Sequence, residues 1–250
     1  MSSQKIVVIT GSSRGIGAAS AKLFAENGYG VCINYLNSAD AASAVAEEVK
    51  AFNVPCITVQ ADVSEEAGAL KLFTEVDAKL GKISSLVNNA GILLPQSRLL
   101  GIDADRINKL LMTNVTSCFL CSREAVKRMS TKSGGTGGSI VNVSSIAATF
   151  GSPNEYTDYA ASKGAMDTFT RGLALEVAAE GIRVNAVRPG IIDTEIHADG
   201  GEPGRVARLG PTVPLQRGGT AEEVAEAIYW LACDKSSYVT GTFIDVAGGR

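Results

Sequence analysis

Hydrophobic positions along the chain fall into short, nearly unbroken runs separated by longer alanine-rich stretches of mixed polarity. The runs "KIVVIT" from Lys5, "GVCINY" from Gly30, "CITVQ" from Cys56, "SLVNN" from Ser85, "SIVNVS" from Ser139, "RVNAV" from Arg183 and "TFIDV" from Thr242 predict strands. The stretches near residues 15–27, 38–52, 64–80, 102–130, 156–180 and 220–233 predict helices. Runs that do not alternate with polar residues suit strands buried on both faces. Strand and helix alternating in this way predict an α/β fold: one doubly wound domain over 1–250, with about seven parallel strands and helices on both faces. Thr220 followed by Glu223 predicts a capping box at the start of the last long helix. Residues 191–216 carry no strand signal and are rich in Gly and Pro, so they are expected to form a substrate-binding loop or lid.

Composition narrows the chemistry. The chain has 250 residues, is 45% hydrophobic and has a formal net charge of -3, with its Lys and Arg scattered. That pattern argues against nucleic acid or an anionic membrane surface as partner. The apolar runs are shorter than a membrane span, and "MSSQKIVVITG" lacks a signal-peptide layout, which points to the cytoplasm. Five cysteines do not make a disulfide framework, and the C-x-x-C of Cys118 and Cys121 lies inside a predicted helix, where core packing is expected. His197 is the single histidine, which leaves no His-cluster metal site, and no metal is expected. The glycine-rich "SGGTGG" from Ser133 lacks the Lys-Ser/Thr of a phosphate loop and precedes a strand instead of following one, so it is expected to be a surface turn.

The turn after the first strand, "TGSSRGIGAAS", brings Gly11, Gly15 and Gly17 to the start of the first helix. Glycines there let backbone approach a pyrophosphate, while the helix N-terminus offers free N–H groups and a positive dipole end. The spacing is G-x-x-x-G-x-G, with Ser13, Arg14 and Ile16 between and beside the glycines. The second strand ends in Asn34 and Tyr35 with no carboxylate to hold ribose hydroxyls or repel a 2′-phosphate. Arg14 could pair with such a phosphate, so NADP is the expected cofactor and NAD stays possible.

With the glycine turn, then "NNAG" at 88–91, then Tyr159-x-x-x-Lys163, the whole chain resembles the short-chain dehydrogenase/reductase family, with all three motifs in that family's order. Stretches such as "YAASKGA" and "VTGTFIDVAGG" resemble those of 3-oxoacyl-carrier-protein reductases and of glucose or other polyol dehydrogenases. The resemblance implies a Rossmann-type fold, a small carbonyl or alcohol substrate, and a homotetramer built on the last two long helices and the C-terminal strand. It further implies Tyr159 as acid/base, Lys163 as its partner and a ribose contact, and Ser145 (rather than Ser144) at the substrate oxygen. Asn114 would support a water relay to the lysine, and Asp62, next to Val63, would lie by the adenine. Asn89, Ala90 and Gly91 would border the cofactor, with Pro189, Gly190, Ile192 and Thr194 along the nicotinamide. The serine-to-tyrosine segment is one residue longer than in many relatives, which concerns the pocket wall and not the reacting groups.

Elementary electrostatics sets the condition for this chemistry. A phenol of pKa about 10 needs ~4 kcal/mol of stabilisation of its anion to act as a base near neutrality. An ammonium ~4 Å away supplies ~1 kcal/mol in bulk water and ~4 kcal/mol at an effective dielectric of ~20. An at least partly buried Tyr159–Lys163 pair beside a cationic nicotinamide is therefore expected. Tyr156, four residues before Ala160, is expected to pack or to line the pocket, and His197 to touch lid or substrate. The alternatives are an NAD-using polyol dehydrogenase and, from another class, a dinucleotide-sensing protein; the Tyr–Lys pair argues against the sensor.

Overall fold

The computed structural model describes residues 4–250; residues 1–3, the first of the "MSSQKIVVITG" stretch, lie outside it. Its core is one seven-stranded sheet, parallel throughout. The strands are β1 (Ile6–Ile9), β2 (Gly30–Tyr35), β3 (Cys56–Gln60), β4 (Ser85–Asn88), β5 (Gly138–Val143), β6 (Ile182–Pro189) and β7 (Phe243–Val246). Between them run α1 (Gly15–Glu26), α2 (Ala39–Lys50), α3 (Glu66–Lys79), α4 (Ala104–Leu111), α5 (Ser117–Met129), the short α6 (Ala147–Phe150) and the 21-residue α7 (Thr157–Val177). After β6 come α8 (Ile196–Asp199), α9 (Arg205–Leu209) and α10 (Ala221–Ala232).

The burial pattern explains why the strand runs are continuous. Val7 and Ile9 face α1, α2 and α10, whereas Ile6 and Val8 face α3, α5 and α7, so successive residues of one strand enter different halves of the core. Phe24 fills one half and Phe73 the other, both fully buried, which contributes about 1.5–3 kcal/mol each. The predicted capping box is formed: Thr220 Oγ1 accepts from Glu223 N at 3.2 Å and Glu223 Oε2 accepts from Thr220 N at 2.9 Å.

Strand order is β3-β2-β1-β4-β5-β6-β7. The chain winds one way from β1 to β3 and the other way from β4 onward, which leaves a crevice above the C-terminal ends of β1 and β4. The glycine turn leaves β1 there, and the "NNAG" segment leaves β4 beside it.

Two segments differ from the expected elements. The helix predicted over 102–130 is interrupted by a π-helical turn, Met112–Thr116, with Asn114 at its centre. The 191–216 segment is not a featureless loop, since it holds α8, α9 and a 3₁₀ turn at Gly210–Thr212. Its periodicity escapes detection because no helix in it exceeds five residues.

Candidate active site

The glycine turn and the end of β4 are built as one piece. Asn89 Nδ2 donates to the Thr10 and Gly11 carbonyls at 3.0 and 2.9 Å. In return, Thr10 Oγ1 accepts from the backbone N–H groups of Asn89 and Ala90 at 3.0 and 2.9 Å. Gly17 is required by this contact, because a Cβ there would stand 2.6 Å from Asn89 Nδ2 and 2.7 Å from the Gly11 oxygen. Gly11 has φ +60° and would press a Cβ to 2.9 Å of Ala90 Cα.

The N-terminal turn of α1 opens onto a cavity of about 310 Å³. Ser13, Arg14, Gly15 and Ile16 border it on one side and Tyr35, Asp62 and Val63 on the other, with Ala90 and Gly91 between them. The backbone cradle, the helix N-terminus and the extended cavity fit a dinucleotide. Asn34 also borders it, but its side chain is turned inward: Oδ1 accepts from Gly11 N at 3.2 Å, and Nδ2 donates to the Val59 and Ala61 carbonyls at 3.3 and 3.0 Å. Buried amides are held by such partners, so the Asn34 side chain shapes the turn. Arg14 forms an ion pair with Asp199 of α8, both side chains being half exposed. Leu36, Asn37 and Ser38 complete the rim at the end of β2, and none of these three is a carboxylate.

A second cavity, of about 130 Å³, continues from the first. Ser145, Tyr159 and Lys163 stand on its wall together with Pro189, Gly190, Ile192 and Thr194. Lys163, only 3% exposed, donates from Nζ to the Val143 carbonyl at 2.8 Å and lies 5.6 Å from the centre of the Tyr159 ring. Burial pulls the Lys163 ammonium down to about 8. Burial also pushes the Tyr159 phenol up to about 12, against a hydrogen bond from Ser145 that favours the anion. The expected lowering of the phenol is therefore not a property of the chain by itself. Desolvation outweighs the Ser145 hydrogen bond, and the lysine's charge is turned to a carbonyl and to the ring.

Asn114, fully buried, lines neither cavity but stands behind them. Its Oδ1 accepts from Ile92 N at 2.8 Å, and its Nδ2 donates to the Ile92 carbonyl and to Ser162 Oγ, both at 3.1 Å. A Cβ on Gly91 would lie 3.3 Å from Asn114 Oδ1 and 3.6 Å from Lys163 Nζ, so these three residues converge. The two serines part company. Ser144 Oγ donates to Asp167 at 2.6 Å, and Asp167 is bound in turn by Arg188. Ser145 faces the cavity and accepts from Ala147 N at 3.1 Å.

The segment after β6 roofs the second cavity. His197 is buried, its Nε2 lies 2.9 Å from the Ile192 carbonyl and its Nδ1 has no partner. Burial lowers its pKa from the ordinary imidazole value. Tyr156 is buried too and donates to the Gly200 carbonyl at 3.3 Å, with the Arg205 guanidinium 5.0 Å from its ring centre. Arg205 is bound by Glu155 at 2.5 Å and Glu202 at 2.9 Å; Arg208 and Gln96 also reach Glu202, whose carboxyl is held down at about 2. Arg217 pairs with Glu223. The lid arginines are thus matched by carboxylates.

One feature of the site was missed in the sequence. Asp158, next to Tyr159, accepts from the Tyr159 backbone N–H at 2.9 Å and from Arg106 Nε at 2.7 Å. An acidic residue in a first helical turn is legible; its partner on α4 is not. Cys118 and Cys121 are buried thiols packed in the core, raised by desolvation. Among the described residues, no group of three His, Cys, Asp or Glu could hold a metal, and no helix is long and apolar enough to cross a membrane.

Comparison with known proteins accords with this arrangement. Residues 11–250 match a family model described as enoyl-(acyl carrier protein) reductase. The chain is 57% identical over 245 residues to the uncharacterized oxidoreductase YgfF of Escherichia coli K12, covering 98% of this chain and 99% of the relative. It is 38% identical to cis-4-hydroxycyclohexanecarboxylate dehydrogenase of Sinomonas cyclohexanicum, covering 98% and 96%. A crystal structure of a short-chain type dehydrogenase/reductase from Mycobacterium marinum superposes with a TM-score of 0.91 at 33% identity, covering 99% and 95%.

Proposed function

The chain belongs to the short-chain dehydrogenase/reductase family of oxidoreductases, and from that premise we propose that it interconverts a carbonyl compound and an alcohol, with NADP preferred over NAD and Tyr159 as the general acid/base. The observation that carries this reading is the convergence of Tyr159, Ser145 and Lys163 on the wall of a cavity continuous with the dinucleotide-shaped crevice. A bound nicotinamide cofactor supplies the hydride in reduction and takes it in oxidation.

The rest is the work of this chain's residues. Tyr159, with its pKa raised to about 12, is protonated at neutral pH and so is ready to give a proton to a carbonyl oxygen. Ser145 donates to the same oxygen as negative charge develops. The Lys163 ammonium, held by the Val143 carbonyl, stands beneath the Tyr159 ring and favours the phenolate once the proton has left. Asn114 fixes the Ile92 backbone beside Gly91 and Lys163, and so keeps this floor in place.

Preference for NADP is supported by the carboxylate-free end of β2 and by Arg14 at the crevice rim. Comparing kcat/KM with NADPH and NADH tests it: a large NADPH advantage is expected, and parity or an NADH preference favours an NAD-using enzyme. Assembly as a homotetramer is supported by exposed apolar side chains: Leu175 on α7, Trp230 on α10 and Phe119 of α5, which stacks on Phe169 at 3.8 Å between ring centres. Light scattering of the purified chain checks the count.

A further inference from the structure

The wall of the second cavity says more about the substrate than the reacting groups do. Apart from Ser145, Tyr159 and Lys163, it is formed largely by Leu93, Ile146, Phe150, Tyr156, Ile191 and Ile196. Most of its charged and polar members are already matched within the chain. Arg205, 6% exposed, has carboxylates at 2.5 and 2.9 Å. Asn89 is held by two backbone carbonyls, Ser144 by Asp167, and His197 by the Ile192 carbonyl. The unpartnered Nδ1 of His197 is closed off from solvent. Once Ser145 and Tyr159 attend the reacting oxygen, the hydroxyls left on the wall are those of Ser152 and Thr194, and Thr194 packs against Gly15 on the cofactor side. Arg250 lies at the rim over the Phe150 ring, exposed, where solvent screens its charge.

Size points the same way. The cavity is about 130 Å³, and the nicotinamide-side residues Pro189, Gly190 and Thr194 share it. An apolar cavity of ~150 Å³ is large enough to take a benzene ring.

Resting on the oxidoreductase reading above, we infer that the substrate is a compact, uncharged, largely apolar ketone or its secondary alcohol, no larger than a six-membered ring where it is buried. A polyhydroxylated substrate would leave most of its hydroxyls facing apolar wall, without partners. A carboxylate or phosphate would have to displace Glu155 or Glu202 from Arg205. The pocket therefore selects against both the sugar-like and the anionic relatives of one carbon skeleton.

The test reduces three ketones with the full chain and its better cofactor: cyclohexanone, 4-oxocyclohexanecarboxylate and fructose. The expected kcat/KM for cyclohexanone exceeds each of the others by about 100-fold, the scale on which pockets reject mismatched polarity. In the Glu155→Gln/Glu202→Gln double variant, which frees Arg205, the carboxylate is expected to gain at least about tenfold relative to cyclohexanone. Equal or better use of fructose or of the carboxylate by the unaltered chain overturns the inference while leaving the oxidoreductase reading intact. Saturation-transfer NMR on the cofactor-loaded Tyr159→Phe variant separates the two further. Selective binding of cyclohexanone without turnover in the unaltered chain keeps the pocket assignment and removes the oxidoreductase reading; selective binding of fructose removes the pocket assignment whatever the kinetics.

Discussion

Arg106 on α4 and Asp158 in the first turn of α7 form an ion pair of 2.7 Å, and Asp158, 6% exposed in its side chain, also accepts the backbone N–H of Tyr159. The pair ties the start of the helix that carries Tyr159 and Lys163 to a neighbouring helix. Removing the cation leaves a buried carboxylate without its partner, which costs about 3–5 kcal/mol. Arg106→Ala is expected to lower thermal stability on that scale and to reduce kcat more than KM, because Tyr159 loses its fixed starting turn. Arg106→Lys should recover stability partly. Unchanged melting and unchanged kcat in Arg106→Ala would show that the pair does not position α7.

The glycine turn makes a contrasting pair of substitutions. A Cβ at Gly17 meets Asn89 Nδ2 and the Gly11 oxygen inside 2.8 Å, whereas Gly28 has open space around it and only its φ of +81° to resist a side chain. Gly28→Ala should cost about 1–2 kcal/mol of stability, the strain of a left-handed backbone, with cofactor affinity unchanged. Gly17→Ala should lose cofactor binding outright. Calorimetry of both variants with NADPH checks this.

Lys163 is a buried ammonium, so its removal should separate stability from activity. Its pKa lies at about 8 in the folded chain against 10.5 for an ordinary lysine. Below pH 8 both states bind the proton, and the folded state bears the full cost of holding it in a dry site. Between pH 8 and 10.5 the unfolded state binds more protons, so stability rises with pH. Lys163→Met should therefore melt higher than the parent at pH 7 in the cofactor-free protein, by an amount equivalent to a few kcal/mol at ~1.4 kcal/mol per pH unit. The difference should shrink towards pH 10, while turnover is lost at every pH. A lower melting temperature at pH 7 would show that the ammonium stabilises the fold.

Arg14 and Asp199 offer a reversible handle on cofactor choice. Their ion pair is half exposed, and such pairs contribute about 0–1 kcal/mol. Arg14→Ala should weaken NADPH more than NADH. Asp199→Asn, which leaves Arg14 without its competitor, should tighten NADPH by up to about fivefold, the equivalent of ~1 kcal/mol. Equal losses of both cofactors in Arg14→Ala would remove the 2′-phosphate argument.

Much of this arrangement can be read along the chain because it is written in local patterns. The strands, the glycine turn and the Thr220–Glu223 capping box depend on residues a few positions apart. Between Ser145 and Tyr159, Ser152 and Asn154 adopt positive φ, in a turn that leads into α7. What stayed hidden depends on partners far away. Arg106 meets Asp158 across 52 positions, and the Asn34 side chain is held inward by the carbonyls of Val59 in β3 and Ala61 just beyond it. The π-helical turn at Asn114 has no propensity signal, since its residues suit an ordinary helix equally well. The raised pKa of Tyr159 follows from burial, which spacing alone does not disclose.

The central claim is that Tyr159, and not Tyr156, handles the proton. Both line the same cavity; Tyr156 gives its hydroxyl to the Gly200 carbonyl, whereas Tyr159 has Ser145 on the same wall and the Lys163 ammonium 5.6 Å from its ring centre. The direct measurement is the rate of reduced-nicotinamide oxidation by Tyr159→Phe and Tyr156→Phe with the best ketone, alongside cofactor affinity. Tyr159→Phe is expected to lose about 10²–10⁴-fold in kcat, the scale of general acid catalysis, with cofactor affinity held within a fewfold and Tyr156→Phe only mildly affected. Full activity in Tyr159→Phe, or an equal collapse in Tyr156→Phe, would contradict the account.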